Sequence, residues 1–307
     1  MKIAIIGAGA MGCLYGGKLS QVEENDVFLL DIWKEHIDAV NANGLLMEED
    51  GEFNKFKNLK ATADASSLGF ADVALVFVKS TMTKQAILES NAVFGPDTIA
   101  LTLQNGLGNI ELISEVIGIE NVIAGTTAHG ATLLGPGKIR HAGHGKTVIG
   151  EIFGEETSRL RKIHDTLSSA GLQTDITDNV IGIIWDKLLV NVGINALTGI
   201  TKLLNGQLLE YSEIMELLEL AVLEGAEIAR AKGVRLSYAD PVSHAKEVCR
   251  ATAENKASML QDILNKRKTE IDMINGAIVC EGKKLGIKTP INTALTNLIK
   301  FYERQVD

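Results

Sequence analysis

The chain has 307 residues, enough for two domains, and its 46% hydrophobic content with only 4 prolines supplies core material and shows no disorder signature. A formal net charge of −9 excludes a general nucleic-acid binder, which needs a basic footprint, yet leaves room for a small anionic substrate held by one local cation. Cys13, Cys249 and Cys280 are scattered, without disulfide or zinc spacing, and the four-residue apolar run after Lys2 is too short for a signal peptide; reduced thiols in a cytoplasmic protein are expected.

Apolar runs rich in Ile, Val and Leu predict buried strands over 2–6, 26–30, 73–78, 98–103 and 122–126. Amphipathic stretches between them, such as 11–20 and 83–90, predict helices, and the alternation implies a parallel sheet. Residues 135–150, with Gly-Pro-Gly and His-Ala-Gly-His-Gly, predict a hairpin-like β segment closing that sheet. From about Asn179 the pattern turns helical. Long helices are predicted over 208–232 and over 240–285, the second broken near Ala251, and a last one over 293–305 after Gly286 and Pro290. The fold class expected is an α/β Rossmann-type domain over 1–175 followed by an all-α domain over 176–307. The longest apolar stretch, 180–200, contains Asp186, Lys187, Asn191 and Asn195, which argues against a membrane span.

Residues 2–12 read Lys-Ile-Ala-Ile-Ile-Gly-Ala-Gly-Ala-Met-Gly. A strand runs directly into Gly7-Ala8-Gly9-Ala10-Met11-Gly12 and a helix opens at once, the context in which a glycine triplet signals a dinucleotide. Gly7 makes the tight turn, Gly9 admits the pyrophosphate to the backbone, and Gly12 lets helix and strand pack closely. The helix N-terminus offers free N–H groups and partial positive charge. The next strand ends at Asp31, 19 residues beyond Gly12, where a carboxylate accepts hydrogen bonds from ribose hydroxyls and repels a 2′-phosphate. NAD(H) is therefore favoured, with NADP(H) left open by the nearby Lys34 and His36.

Lys187, Asn191 and Asn195 recur every four residues and occupy an arc of roughly 80° on one helix face. Such groups in apolar surroundings are costly unless they face a polar cavity. Asn255, Ser258 and Glu270 fall within an arc of roughly 120° if one helix runs through them, a face that would meet the Lys187 face across a cleft.

These segments, with Gln104-Asn105-Gly106, Gly125-Thr126-Thr127-x-His129, Ser258-Met259-Leu260-Gln261-Asp262 and Thr269-Glu270-Ile271-Asp272, closely resemble the ketopantoate reductase (2-dehydropantoate 2-reductase) family over nearly the whole chain. The motifs stand in the family's order, and the C-terminal ones are more specific than the glycine loop. The resemblance implies a C-terminal domain like that of 6-phosphogluconate dehydrogenase and reduction of 2-dehydropantoate to (R)-pantoate, a step toward pantothenate and coenzyme A. It implies that Lys187 is the general acid and that Asn191, Asn195, Asn205 and Ser258 hold the substrate. Asn105 would lie between nicotinamide and substrate. Glu270 would contact the cofactor side and position the catalytic groups, and Ala131 and Lys79 would touch the cofactor. Family members that use NADPH carry a basic residue near the end of the second strand, where this chain has Asp31.

A reductase of another 2-keto acid on the same fold is the neighbouring reading. A nicotinamide-binding regulator without turnover is a third, and it has no use for Lys187. No nucleic-acid or membrane partner and no metal is expected: His141-x-x-His144 lacks a third ligand nearby in sequence and reads as a polar turn. Cys13, beside the loop, has no activating base visible in sequence, and Arg159–Lys162 reads as a solvated helix face. The apolar stretch 214–228 suits either the domain core or a homodimer interface.

Overall fold

The computed structural model describes residues 1–305, and these form two compact units: residues 1–104 with 109–180, and residues 105–108 with 181–305. The first unit runs to Val180 because β12 (Thr174–Ile176) pairs with its sheet through β11 (Thr147–Glu151).

The first unit is built on an eight-stranded sheet. Its centre holds β1 (Lys2–Ile6), β2 (Asp26–Leu30), β6 (Val73–Val76), β7 (Ile99–Thr102) and β8 (Val122–Thr127). The spatial order is β12-β11-β8-β7-β6-β1-β2-β5, with β5 at Leu59–Thr62, and every pairing is parallel except β11 with β8. All four residues of β6 and four of five in β1 are buried, as expected of central parallel strands covered on both faces. The chain leaves β1 toward β2 on one side and returns to β6 on the other. The carboxyl ends of β1 and β6 therefore flank the topological switch point, where open α/β sheets bind ligands.

A second sheet, absent from the sequence reading, has the order β4-β3-β10-β9. Its strands are β3 (Leu45–Glu49), β4 (Glu52–Phe56), β9 (Gly130–Gly135) and β10 (Lys138–Gly143). Asp50 and Gly51 both have positive φ, 51° and 86°, the turn that suits a two-residue hairpin between β3 and β4. The segment 135–150 therefore does two jobs. β10 pairs parallel with β3 in the small sheet, and only β11 joins the main sheet, antiparallel to β8. Helices α1 (Ala10–Leu19), α2 (Lys34–Asn43), α3 (Thr83–Glu89), α4 (Asn109–Ile117) and α5 (Ser158–Ser169) complete the unit. On α5, Arg161 and Lys162 are exposed as expected, while Arg159 pairs with Glu151 at 2.5 Å.

The second unit is helical: α6 (Val180–Thr201), α7 (Ser212–Ala231), α8 (Pro241–Ala251), α9 (Ser258–Leu264), α10 (Asn275–Leu285) and α11 (Pro290–Arg304). α6 has the length and apolarity of a membrane span, with a mean hydropathy of 1.5, but 78% of that window is buried inside the protein, so it is a core helix. It approaches α7 closely: a methyl on Gly193 would stand 2.8 Å from Val222. Leu218, Ala221, Val222, Ala226 and Ile228 of α7 fill the core, and Leu220 and Leu223 stay exposed. Glu224 accepts from the N–H groups of Ile291 and Asn292 at 2.8 and 2.9 Å and so caps the N-terminus of α11.

The long helix expected over 240–285 is three helices. Between α8 and α9 the chain runs beside the Asn205–Gly206 turn, whose N–H groups donate to Asn255 and Ala253 carbonyls at 3.1 Å. Lys266 ends α9 at φ 53°, and Arg267 N–H closes back on the Asp262 carbonyl at 2.8 Å.

Candidate active site

In the first unit the expected loop occupies its expected place. Gly7 has φ +94°, and a Cβ there would lie 2.7 Å from the Val78 backbone nitrogen, so only glycine fits. A Cβ on Gly12 would lie 2.0 Å from the Gly7 carbonyl oxygen, which shows how tightly α1 packs on the loop. A Cβ on Gly9 would meet nothing within 4 Å. The one glycine the fold itself does not demand thus borders open space at the start of α1, and this suits a pyrophosphate. Ala10 and Met11 open the helix beside it.

Asp31 holds this loop from outside. Its Oδ2 accepts the Ala8 N–H at 2.8 Å and its Oδ1 accepts the Trp33 N–H at 2.9 Å. Each oxygen keeps a further lone pair for a ribose hydroxyl. Lys79 stands three residues beyond the end of β6, on the switch-point side of the sheet, and is half-buried. Ala131 lies on β9, packed against the core that includes α1.

Two sequence readings change here. His36 is fully buried: its Nδ1 accepts the Gly137 N–H at 3.1 Å and its Nε2 lies 3.3 Å from Cys13 Sγ. It is therefore unavailable to a 2′-phosphate, and burial pushes its pKa down, which keeps it neutral. Cys13 does have a base beside it, unseen in sequence. Burial first and the Asp31 charge second push its thiol far above the ordinary range, so it is inert.

In the second unit the remaining expected residues stand on separate elements, and two pairs of them meet. Lys187, Asn191 and Asn195 lie along α6. Asn195 is buried, and its Nδ2 reaches Ser258 Oγ at the start of α9 at 3.5 Å. Asn205 is buried too. Its Nδ2 donates to Thr252 Oγ1 at 2.9 Å, while its Oδ1 is buried with no hydrogen-bond partner among the described residues. Asn255 is exposed and contributes its carbonyl rather than its side chain. Ser258 and Glu270 share no helix, because Glu270 precedes a 3₁₀ turn at Ile271–Met273.

Lys187 interacts electrostatically with Glu270. Burial pushes the lysine pKa down to about 8, and the Glu270 charge pulls the other way. The segment 105–108 docks beside this pair. Leu107 N–H donates to the Met273 carbonyl at 2.9 Å, and Gly106 at φ +82° lies against Met273 so closely that a Cβ would stand 2.4 Å from that oxygen. Met273, which this segment packs against, lies three residues after Glu270 in the chain. Sequence reasoning gave Thr269 no role beyond its motif and missed Glu303, and together they fix the backbone at Glu270: Glu303 Oε1 accepts the N–H and the hydroxyl of Thr269 at 2.8 and 2.7 Å.

Known proteins bear on this arrangement. The family model described as ketopantoate reductase PanE/ApbA matches residues 3–154, and its C-terminal counterpart matches residues 179–303. The chain is 35% identical over 304 residues to a 2-dehydropantoate 2-reductase of Halobacterium salinarum, covering 99% of each chain. It is 37% identical over 303 residues to one of Pyrococcus horikoshii, covering 99% of this chain and 98% of that one. Among solved structures it resembles D-mandelate dehydrogenase in ternary complex with NADH and anilino(oxo)acetate, with TM-score 0.93, 31% identity and coverage of 100% and 99%. It also resembles the PanE/ApbA family ketopantoate reductase of Ralstonia eutropha JMP134, with TM-score 0.92, 33% identity and the same coverage. Matched over both units by sequence and by fold, the chain belongs to the ketopantoate reductase PanE/ApbA family.

Proposed function

We propose that this protein reduces 2-dehydropantoate to (R)-pantoate with a nicotinamide dinucleotide, NADH in preference to NADPH. The observation that carries the reading is Lys187 coupled to Glu270 with a pKa lowered to about 8, a proton donor poised near neutral pH. The bound dinucleotide supplies the hydride. Lys187 gives its proton to the carbonyl oxygen as negative charge develops there, and its ammonium steadies that charge. Glu270 keeps the lysine protonated and oriented.

Asn191, Asn195 and Ser258 hold the substrate carboxylate by hydrogen bonds, with Asn105 beside the reacting carbon. Asn205 Oδ1, a buried acceptor without a partner, requires a donor, and the hydroxyl of 2-dehydropantoate is one. For the cofactor, Asp31 accepts from the ribose hydroxyls and repels a 2′-phosphate, while His36 is sealed in the interior, so Lys34 alone remains to favour NADPH. A cytoplasmic setting accords with the three free cysteines.

Steady-state assays with NADH and NADPH against a panel of 2-keto acids test the reading. No turnover of 2-dehydropantoate would sink it. A second reading is an aryl or other 2-keto acid substrate, favoured by the likeness to D-mandelate dehydrogenase, whose structure holds anilino(oxo)acetate. A higher kcat/KM for phenylglyoxylate than for 2-dehydropantoate would select it.

A further inference from the structure

The spacing of His141 and His144 offers two ligands, and the small sheet brings a third. β3 and β10 run parallel with Glu48 opposite Arg140, so the residues that follow, Glu49 and His141, come side by side. His141 Nδ1 lies 2.7 Å from Glu49 Oε1. The His141 and His144 rings stand 4.1 Å apart between centroids. Glu49, His141 and His144 each present one ligand atom, all within 4.8 Å of one another. His141 is on a strand, therefore, and not in the polar turn expected from sequence.

We propose that Glu49, His141 and His144 bind one divalent first-row cation, with Zn²⁺ the best match to two imidazoles and a carboxylate. The proton now shared between His141 Nδ1 and Glu49 is what the ion replaces. That leaves His141 Nε2–H to donate to His129 Nδ1, 3.0 Å away, the orienting bond that a metal-bound histidine needs. His129 suits this acceptor role. Its Nε2 is buried without a partner among the described residues, and the Gly145 N–H also points to its Nδ1 at 3.4 Å.

Metal bonds of about 2.0–2.2 Å set tetrahedral ligand atoms about 3.3 Å apart, so His141 Nδ1 and Glu49 Oε1 open slightly from 2.7 Å while His144 moves in from within 4.8 Å. His144 is exposed and has room to turn. The fourth position is left to water. Lys18 already grips Glu49 at 2.8 Å, so the ion competes with an ammonium for that carboxylate. Lys18 lies nine residues along α1 from Gly9, about 14 Å at the helical rise. The ion would therefore staple the small sheet to the segment that leads from β10 into β11. The proposal is independent of which keto acid is reduced.

The test uses the full chain freed of metal with EDTA. Zn²⁺ is titrated calorimetrically, and Co²⁺ is followed by its visible absorption. The wild type is expected to bind one equivalent, to give the intense bands of four-coordinate Co²⁺, and to melt at higher temperature with Zn²⁺. His144→Gln, at an exposed position that leaves the fold intact, should bind roughly tenfold or more weakly and lose the thermal shift. Lys18→Met should bind more tightly, because the competing cation is gone. Equal Zn²⁺ affinity in wild type and His144→Gln, or a Co²⁺ spectrum unchanged from that of the hydrated ion, would overturn the proposal.

Discussion

Glu303 Oε1 accepts two hydrogen bonds from Thr269, one from its N–H at 2.8 Å and one from its hydroxyl at 2.7 Å, and so ties α11 to the residue preceding Glu270. The same hydroxyl accepts the Ile271 N–H at 3.2 Å, so the backbone is pinned on both sides of Glu270. Thr269 is only 1% exposed, and loss of the carboxylate would leave its donors unsatisfied at a cost of about 1–3 kcal/mol. Glu303→Ala should lower the melting temperature and, by loosening Glu270 against Lys187, reduce kcat roughly tenfold, about 1.4 kcal/mol. Cofactor affinity should hold. A lowered melting temperature with unchanged kcat would confine Glu303 to a structural role.

The lysine pKa of about 8 sets a pH limb. Turnover needs the ammonium, so kcat/KM should fall tenfold per pH unit once the pH exceeds about 8. Stability moves the opposite way. The folded protein holds this proton less tightly than the unfolded chain, whose lysine titrates near 10.5, so the unfolded state binds more protons between these values and folding gains as pH rises through that window. Lys187→Met should therefore lose roughly 10²–10⁴-fold in kcat while melting no lower than the wild type at pH 7. Both are measured on one preparation, by stopped assay and by thermal melt.

The glycine loop, the central strands and α6 were legible because each rests on local pattern: continuous apolar runs, a fixed glycine spacing, a four-residue polar repeat. What escaped depends on partners distant in sequence or on unusual backbone. The β3–β4 hairpin carried a readable Asp50-Gly51 signal, but its strands are short and β4 is mostly exposed, so the hydrophobic pattern was weak. Lys202 and Lys266 end α6 and α9 at φ 65° and 53°, positions where glycine is usual, so composition gave no stop signal. The helix end at Lys266 is what removed Ser258 and Glu270 from a shared helix. His36 sits two residues after Trp33–Lys34 like any surface residue, and only the β9–β10 turn at Gly137 reveals that it is buried.

Asp31 bears on both cofactor choice and loop geometry, and substitution separates the two. Asp31→Asn keeps one acceptor for the Ala8 N–H but drops the charge that repels a 2′-phosphate. The ratio of kcat/KM for NADH over NADPH should fall roughly tenfold or more, since hydrogen bonds to a charged group contribute about 1.5–3 kcal/mol. Kinetics with both cofactors at fixed keto acid give the ratio directly. An unchanged ratio would assign Asp31 to holding the loop alone.

Asn205 offers the sharpest test of substrate identity. Its amide nitrogen is committed to Thr252, and its buried Oδ1 has no protein donor among the described residues. An unsatisfied buried acceptor is costly, so a ligand hydroxyl that reaches it is favoured over an analogue lacking one. The wild type should prefer 2-dehydropantoate over 2-ketoisovalerate, which has no hydroxyl. Asn205→Ala should raise KM for 2-dehydropantoate roughly tenfold, about 1.4 kcal/mol, with a smaller change in kcat, because the contact is made equally in ground and transition states. The same substitution should leave 2-ketoisovalerate nearly unaffected, so the preference collapses. A preference that survives in Asn205→Ala would mean that another group reads the hydroxyl, and the orphaned oxygen would then belong to the turn it shares with Asn255 and not to substrate recognition.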